Sequence, residues 1–218
     1  MYGKIFMIIF QTLLNITLPR SNPIQKILSR KSLKEIFVFD NIKNIVIVIQ
    51  TLLYLYVMYQ QEAGLIPLLP DDYHKFSEWN RLEIFSHICN IVGSFLILQS
   101  YNTLKEYFNP DVTIKKEHKL ITTGPYSSLV HPSYTGVILQ WVFLFHLHFQ
   151  LTRYIPLYSP FKMFNFLSSW WFKAFEVIGL NVLVYKRLIH EEKLMKNHFG
   201  KEWDNYFRQR KRFIPYVF

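Results

Sequence analysis

The chain has 218 residues, 50% of them hydrophobic, with 20 Phe, 14 Tyr, a single Cys and a formal net charge of +10. A mean hydropathy of only +0.09 hides apolar blocks separated by basic loops, a distribution that points to a polytopic membrane protein rather than a soluble core. Basic residues interleaved with candidate spans favour an anionic membrane face over nucleic acid, and the lone Cys89 excludes an intrachain disulfide framework and a Cys-based metal site.

Five apolar segments follow in chain order. The first, residues 5–18, is short for a span. Lys4 ahead of it suits a signal peptide, but ITLPRS offers no small-residue cleavage site, so a retained helix is expected. The second covers residues 45–59, with a start as early as Ile36 left open. The third is residues 84–101, the fourth 134–151 and the fifth 161–185. Crossing a bilayer takes ~20 mostly apolar residues in a helix, which makes segments two to five credible spans. The expected fold is all-α and integral to the membrane: about five transmembrane helices with a cytosolic-side cofactor pocket built by the C-terminal half. One domain is expected over residues 1–218, with 1–105 contributing spans and 106–218 binding cofactor and substrate.

Charge asymmetry orients these segments. The loop after the first carries Arg20, Lys26, Arg30, Lys31 and Lys34, and the loop after the third carries Lys105, Lys115, Lys116 and Lys119. The tail is also basic, whereas the loop after the second holds Glu62, Asp71, Asp72 and Glu78 against Lys75 and Arg81. Positive residues mark the cytosolic side, so the C-terminus is expected there and the N-terminus outside. Both motif regions then lie on the cytosolic face.

The first motif is HKLITTGPYSSLVHPSYTG, residues 118–136. Its Gly124-Pro125 pair predicts a turn, and Pro132 opens the fourth helix, since Pro is tolerated in a first turn. An irregular loop would then deliver His118, Tyr126, His131 and Tyr134 to the membrane surface, where backbone N–H groups at the helix start suit a carboxylate or phosphate. A juxtamembrane loop with interfacial tyrosines is the plainer alternative.

The second motif, RLIHEEKLMKNHFG, residues 187–200, keeps a helical apolar stripe and ends on Gly200, a common stop. Arg187 and Glu191 share a face four residues apart. They make either a weak surface ion pair or a working pair, with the Arg187 fork gripping a substrate carboxylate and Glu191 engaging a cofactor. His190 and Glu192 point away from that face. Lys173 and Glu176, inside the fifth segment, carry no assigned role. The basic aromatic stretch WDNYFRQRKRF is expected to lie on anionic lipid. His146 and His148, two apart, are expected to be core histidines rather than metal ligands, and no metal is expected.

At these residues the chain resembles the isoprenylcysteine carboxyl methyltransferases, membrane enzymes of the endoplasmic reticulum. The resemblance rests on HKLITTGPY (residues 118–126), VHPSY (130–134), RLIHEEKL (187–194) and FGKEW (199–203), and covers roughly the C-terminal hundred residues. Val130 departs from it, standing where the family has Arg. The resemblance implies S-adenosylmethionine as cofactor and the C-terminal carboxylate of a prenylated cysteine as acceptor. It also implies that His118, Lys119, Leu120, Ile121, Tyr126, His131, Pro132, Ser133 and Tyr134 line the cofactor, that Glu191 closes its pocket, and that Arg187 is the catalytic and acceptor-binding residue. Prenylated protein or peptide C-termini and the lipid bilayer are the expected partners, with no nucleic acid.

The chemistry agrees with this assignment. A carboxylate is already ionised at pH 7, so its methylation needs no general base, and alignment with exclusion of water carries the rate. Three rivals stand beside it: phospholipid N-methylation, for which an Arg is a poor partner to the amine acceptor; a nicotinamide-dependent membrane reductase; and an inactive membrane adaptor, to which Val130 is the one pointer.

Overall fold

The computed structural model describes residues 1–18, 32–67, 75–107, 119–158, 166–167 and 169–213. Among them the chain is all-helical: α1 (Tyr2–Thr17), α2 (Ser32–Glu62), α3 (Arg81–Leu104), α4 (Pro132–Tyr158), α5 (Trp170–Phe199) and α6 (Lys201–Gln209). Short 3-10 turns occupy Lys105–Tyr107 and Gly124–Ser127, and a parallel bridge pairs Leu129 with Lys211. The first four apolar segments read from the sequence fall on helices α1 to α4. The fifth, residues 161–185, is helical from Trp170; residues 161–165 and 168 lie outside the described residues. Helix α5 continues without a break through the second motif and stops at Gly200, whose φ is 55°.

One described helix, Arg81–Leu104, is long and apolar enough to cross a membrane by length and composition, against the five expected. Helix α1, with 16 residues, is too short to qualify. The polar residues of α1 and α3 lie on their inner faces. In α1 the buried positions include Lys4, Gln11, Thr12 and Asn15, while Phe6, Ile9, Phe10 and Leu13 are exposed. In α3, Glu83, Ser86, His87 and Asn90 are buried, while Leu82, Phe85, Ile88 and Ile91 are exposed. Helix α2 is mixed, burying Thr51 and Gln61 along with Ile47, Tyr54, Val57 and Met58, and turning Ile45, Ile49 and Leu52 outward. Spacings of three and four place each set on one face. The exteriors of α1 and α3 are apolar while their inner faces carry the polar residues.

The contacts divide the chain into two compact units. The first comprises Met1–Thr17, Asp40–Ile91 and Leu139–Ile178. Its interior carries a polar network, since buried polar groups seek partners, although His87 Nε2 and His146 Nε2 have no hydrogen bond among the described residues. Lys4 Nζ donates to Glu83 Oε2 at 2.6 Å and to the Glu78 carbonyl at 2.7 Å, and the Tyr54 hydroxyl donates to Glu83 Oε1 at 3.1 Å. Gln11 accepts from Asn90 Nδ2 and meets His87 Nδ1 at 2.8 Å, and the hydroxyls of Thr12 and Thr51 lie 2.8 Å apart. Beside this seam Tyr54 stacks on Phe76, which meets Tyr154 edge-on. Lys173 and Glu176 turn toward α4: Lys173 donates to the Phe149 carbonyl at 3.4 Å, and Glu176 lies 3.2 Å from His148 Nε2. His146 is buried in the same unit, in keeping with a core histidine, and Cys89 is a small buried residue as expected.

The second unit comprises Leu18–Phe39, Val92–Ile138 and Gly179–Phe218. Two glycines set its geometry. A Cβ on Gly136 would sit 2.6 Å from the Gly93 carbonyl oxygen and 2.7 Å from Ile97, so α3 and α4 meet backbone to backbone, as small residues permit between membrane helices. Gly124, at φ 59°, takes the left-handed turn beside Thr103. Together they hold the start of α4 against α3.

Candidate functional site

The site lies wholly within the second unit. Pro132 opens α4, as its fixed φ favours, and the turn before it places His131 at the mouth of that helix. His131 is buried at 3% exposure between two carboxylates of α5: its Nε2 is 3.2 Å from Glu192 Oε1 and its Nδ1 3.9 Å from Glu191 Oε1. Neighbouring glutamates diverge by about 100° on a helix, and the imidazole sits in the angle between them. The Tyr134 ring meets His131 edge-on at 5.5 Å.

Tyr134 ties the two motifs together. Its hydroxyl donates to Glu191 Oε2 at 2.7 Å and accepts from Arg187 Nε at 3.2 Å. Arg187 and Glu191 thus meet through a phenol contributed by the other motif, with Arg187 exposed. Tyr126 is buried beneath the turn, and burial pushes its phenol well above the usual range, with the Glu191 charge adding to the effect. Ser100 and Ser133 pull the phenol part of the way back. Ile121 is half-buried and Lys119 exposed. Leu120 packs with Met195, Phe199 and Phe207 around buried Val130, Trp203 and Tyr206. The departure at Val130 is thereby explained, since its side chain fills an apolar cluster. His118, the first residue of the motif, lies outside the described residues.

The C-terminal stretch expected on anionic lipid packs through its inner side chains onto the first motif. The Tyr206 hydroxyl donates to the Tyr126 and Leu129 carbonyls at 3.0 and 3.1 Å, and Arg210 Nε donates to the Tyr126 carbonyl at 3.1 Å while covering the Tyr206 ring. Val130 and His131 donate their N–H groups to the carbonyls of Lys211 and Arg212. The loop before α4 has no regular ladder of its own, so its backbone groups pair with the chain end. Arg212 grips Glu192 with a two-pronged contact, both bonds at 3.0 Å.

Glu192, whose role the sequence left open, therefore belongs to the constellation. Burial pushes its carboxyl up, but His131 and Arg212 outweigh burial and hold it below the ordinary range. Arg212 and Tyr206 were missed. The doubled acid in HEEK was the available signal for Glu192; nothing local singles out Arg212 among its basic neighbours. Among the described residues no group of three or more His, Cys, Asp or Glu could hold a metal ion.

The motif loop, α3 and α4 have a recognisable family pattern. Residues 86–169 match the model of the Isoprenylcysteine carboxyl methyltransferase (ICMT) family. The match takes in His131 to Tyr134 and bears out the resemblance drawn from the motifs; it supports a methyltransferase of this kind. It ends before α5 begins at Trp170, so the second motif lies outside the matched residues. No curated protein and no solved structure matches the chain.

Proposed function

We propose that the protein is a membrane-embedded, S-adenosylmethionine-dependent methyltransferase that esterifies the C-terminal carboxylate of prenylated cysteine on the cytosolic side of the endoplasmic reticulum membrane. The observation that carries the reading is the Tyr134 hydroxyl, shared between Arg187 and Glu191. It makes one site of two motifs that are more than fifty residues apart in sequence.

The membrane setting is supported by the inverted faces of α1 and α3. Apolar side chains outside and paired polar side chains inside are the arrangement that hydrocarbon solvent favours and water does not. The five-span bundle, read as one catalytic domain over residues 1–218, is proposed on this ground together with the family match. The charge bias of the loops orients it.

The donor set suits the proposed cofactor. A carboxylate (Glu191), a phenol (Tyr134) and an imidazole (His131) offer hydrogen-bonding partners for amino and hydroxyl groups, and Ile121 is proposed to line the same cofactor. When bound, the cofactor supplies an electrophilic methyl group, whose carbon–sulfur bond breaks as a carbon–oxygen bond to the acceptor forms. Lys119, Leu120, Pro132 and Ser133 stay in the proposal as the loop that frames this pocket, with Tyr126 beneath it and His118 as its first residue. Arg187, exposed on α5, receives the acceptor carboxylate and aims one oxygen at the site. Tyr134 holds the Arg187 fork in place through Nε, and Glu191 anchors Tyr134. No proton has to be removed from an ionised carboxylate, so these residues position rather than act as acid or base. A prenyl tail partitions into lipid at about 0.8 kcal/mol per buried CH₂, which concentrates the acceptor beside α5.

Membranes containing the protein should transfer labelled methyl groups from S-adenosylmethionine to N-acetyl-farnesylcysteine. Transfer to phosphatidylethanolamine instead would make the protein a phospholipid N-methyltransferase, and no transfer with no cofactor binding would leave the adaptor.

A further inference from the structure

The chain end grips His131 through a charged relay that neither motif contains. Arg212 Nε and Nη2 each lie 3.0 Å from a different oxygen of Glu192, and Glu192 Oε1 continues to His131 Nε2 at 3.2 Å. Glu192 and His131 are 11% and 3% exposed at the side chain, Arg212 28%. The guanidinium lies over the Phe207 ring at 5.1 Å, and the Arg212 backbone carbonyl accepts from the His131 N–H at 3.1 Å. Next to it, the Phe213 carbonyl accepts from Thr135 Oγ1 at 2.9 Å. The segment bearing Arg212 is thus registered against the turn bearing His131 by backbone bonds, and the side chains close a second ring around the same pair.

We infer that Arg212 is a positioning residue of the site, acting through Glu192 to fix the orientation and tautomer of His131. This rests on the reading of His131 as part of the cofactor pocket, and it adds the residues that set how His131 meets the cofactor. A carboxylate can only accept, so Nε2 is the nitrogen that bears hydrogen on the Glu192 side. In the neutral ring Nδ1 is then the acceptor, and it faces Glu191 Oε1 3.9 Å away. Two acceptors at that separation call for a donor between them. An amino or hydroxyl hydrogen of a bound cofactor has the required chemistry. Arg212 matters because a two-pronged guanidinium holds both oxygens of Glu192 in one plane. Without it the carboxylate is free to rotate away from Nε2, and the ring loses its preference for one tautomer.

The test uses the full-length protein purified into lipid nanodiscs and needs no catalysis. With nitrogen-labelled histidine at mildly alkaline pH, where an ordinary imidazole is neutral, the resonance lost in His131→Asn identifies the residue. The wild type should show a protonated Nε2 and a bare Nδ1. Arg212→Ala should give a mixture of tautomers, Arg212→Lys should restore the wild-type pattern in part, and Glu192→Gln, whose amide can donate to Nε2, should reverse it. In parallel, binding of S-adenosylmethionine should weaken about ten- to a hundredfold in Arg212→Ala, as loss of a charge-assisted bond implies. Arg212→Lys should recover part of that loss.

An unchanged His131 pattern in folded Arg212→Ala overturns the inference. If Arg212→Ala does not fold, Glu192→Gln decides: a wild-type tautomer there overturns it equally. Were the wild type to bind no S-adenosylmethionine, the proposed function would fall while the tautomer experiment still judged the relay.

Discussion

Lys4 and Glu83 offer the most direct test of the inverted interior. Both side chains are buried, at 1% and 0% exposure, and their charged atoms are 2.6 Å apart. Changing Lys4 to Met keeps the length of the side chain and removes the cation. Glu83 then retains the Tyr54 hydroxyl at 3.1 Å as its donor on Oε1, with His87 Nε2 3.9 Å away. Leaving one partner of a buried pair charged and uncompensated costs roughly 3–5 kcal/mol. The Glu78 carbonyl also loses its donor, which adds about 1 kcal/mol. For a chain of this size each kcal/mol lowers the melting midpoint by about 2–4 °C, so Lys4→Met should melt on the order of 10 °C or more below the wild type in detergent micelles, followed by tryptophan fluorescence. Adding Glu83→Gln removes the stranded charge while keeping an oxygen for Tyr54, and the double variant should regain most of the loss. The positive coupling between the two sites is the signature sought. A Lys4→Met protein as stable as the wild type, or a double variant no better than the single one, would refute the account of α1 as part of a paired polar seam.

Three further outcomes follow from the second unit. Arg187→Ala should lower kcat/KM for N-acetyl-farnesylcysteine about a hundredfold, the loss expected for a charge-assisted contact, while cofactor binding stays near wild type; an equal loss of cofactor affinity would remove its role at the acceptor. Gly136→Ala places a Cβ 2.6 Å from the Gly93 carbonyl, so α3 and α4 must separate, with a stability loss of about 1–3 kcal/mol read as a lowered melting midpoint. Glu192 has a folded-state carboxyl depressed below its ordinary 4.5 by His131 and Arg212; its stabilisation is therefore present above the unfolded value and lost as pH falls through the lower folded one. Arg212→Ala should accordingly shift the acid-unfolding midpoint upward within the carboxylate range, and an unshifted midpoint would show that the pair contributes nothing to the fold.

Local patterns were legible in the sequence because their causes are local. Apolar runs mark helices, Pro132 marks the start of α4 and Gly200 the end of α5, and each works through the backbone of its own neighbourhood. The pairing of Arg187 with Glu191 on one face needed only the helical period. The first motif was legible as a turn opening onto a helix, and Tyr134 and His131 meet α5 as that reading required.

The rest depended on contacts between residues distant in the chain. Lys4 reads as a charge ahead of an apolar stretch, and only the approach of α3 makes it the partner of a buried glutamate 79 residues away. Glu192 points away from Glu191 on a helical wheel, yet an imidazole placed between them by α4 unites the two. Arg212 is one of several basic residues in a run that charge alone assigns to a lipid surface; backbone pairing of Val130 and His131 with Lys211 and Arg212 turns it inward instead. Periodicity records which face a residue occupies, whereas what that face meets is decided by the packing of other helices.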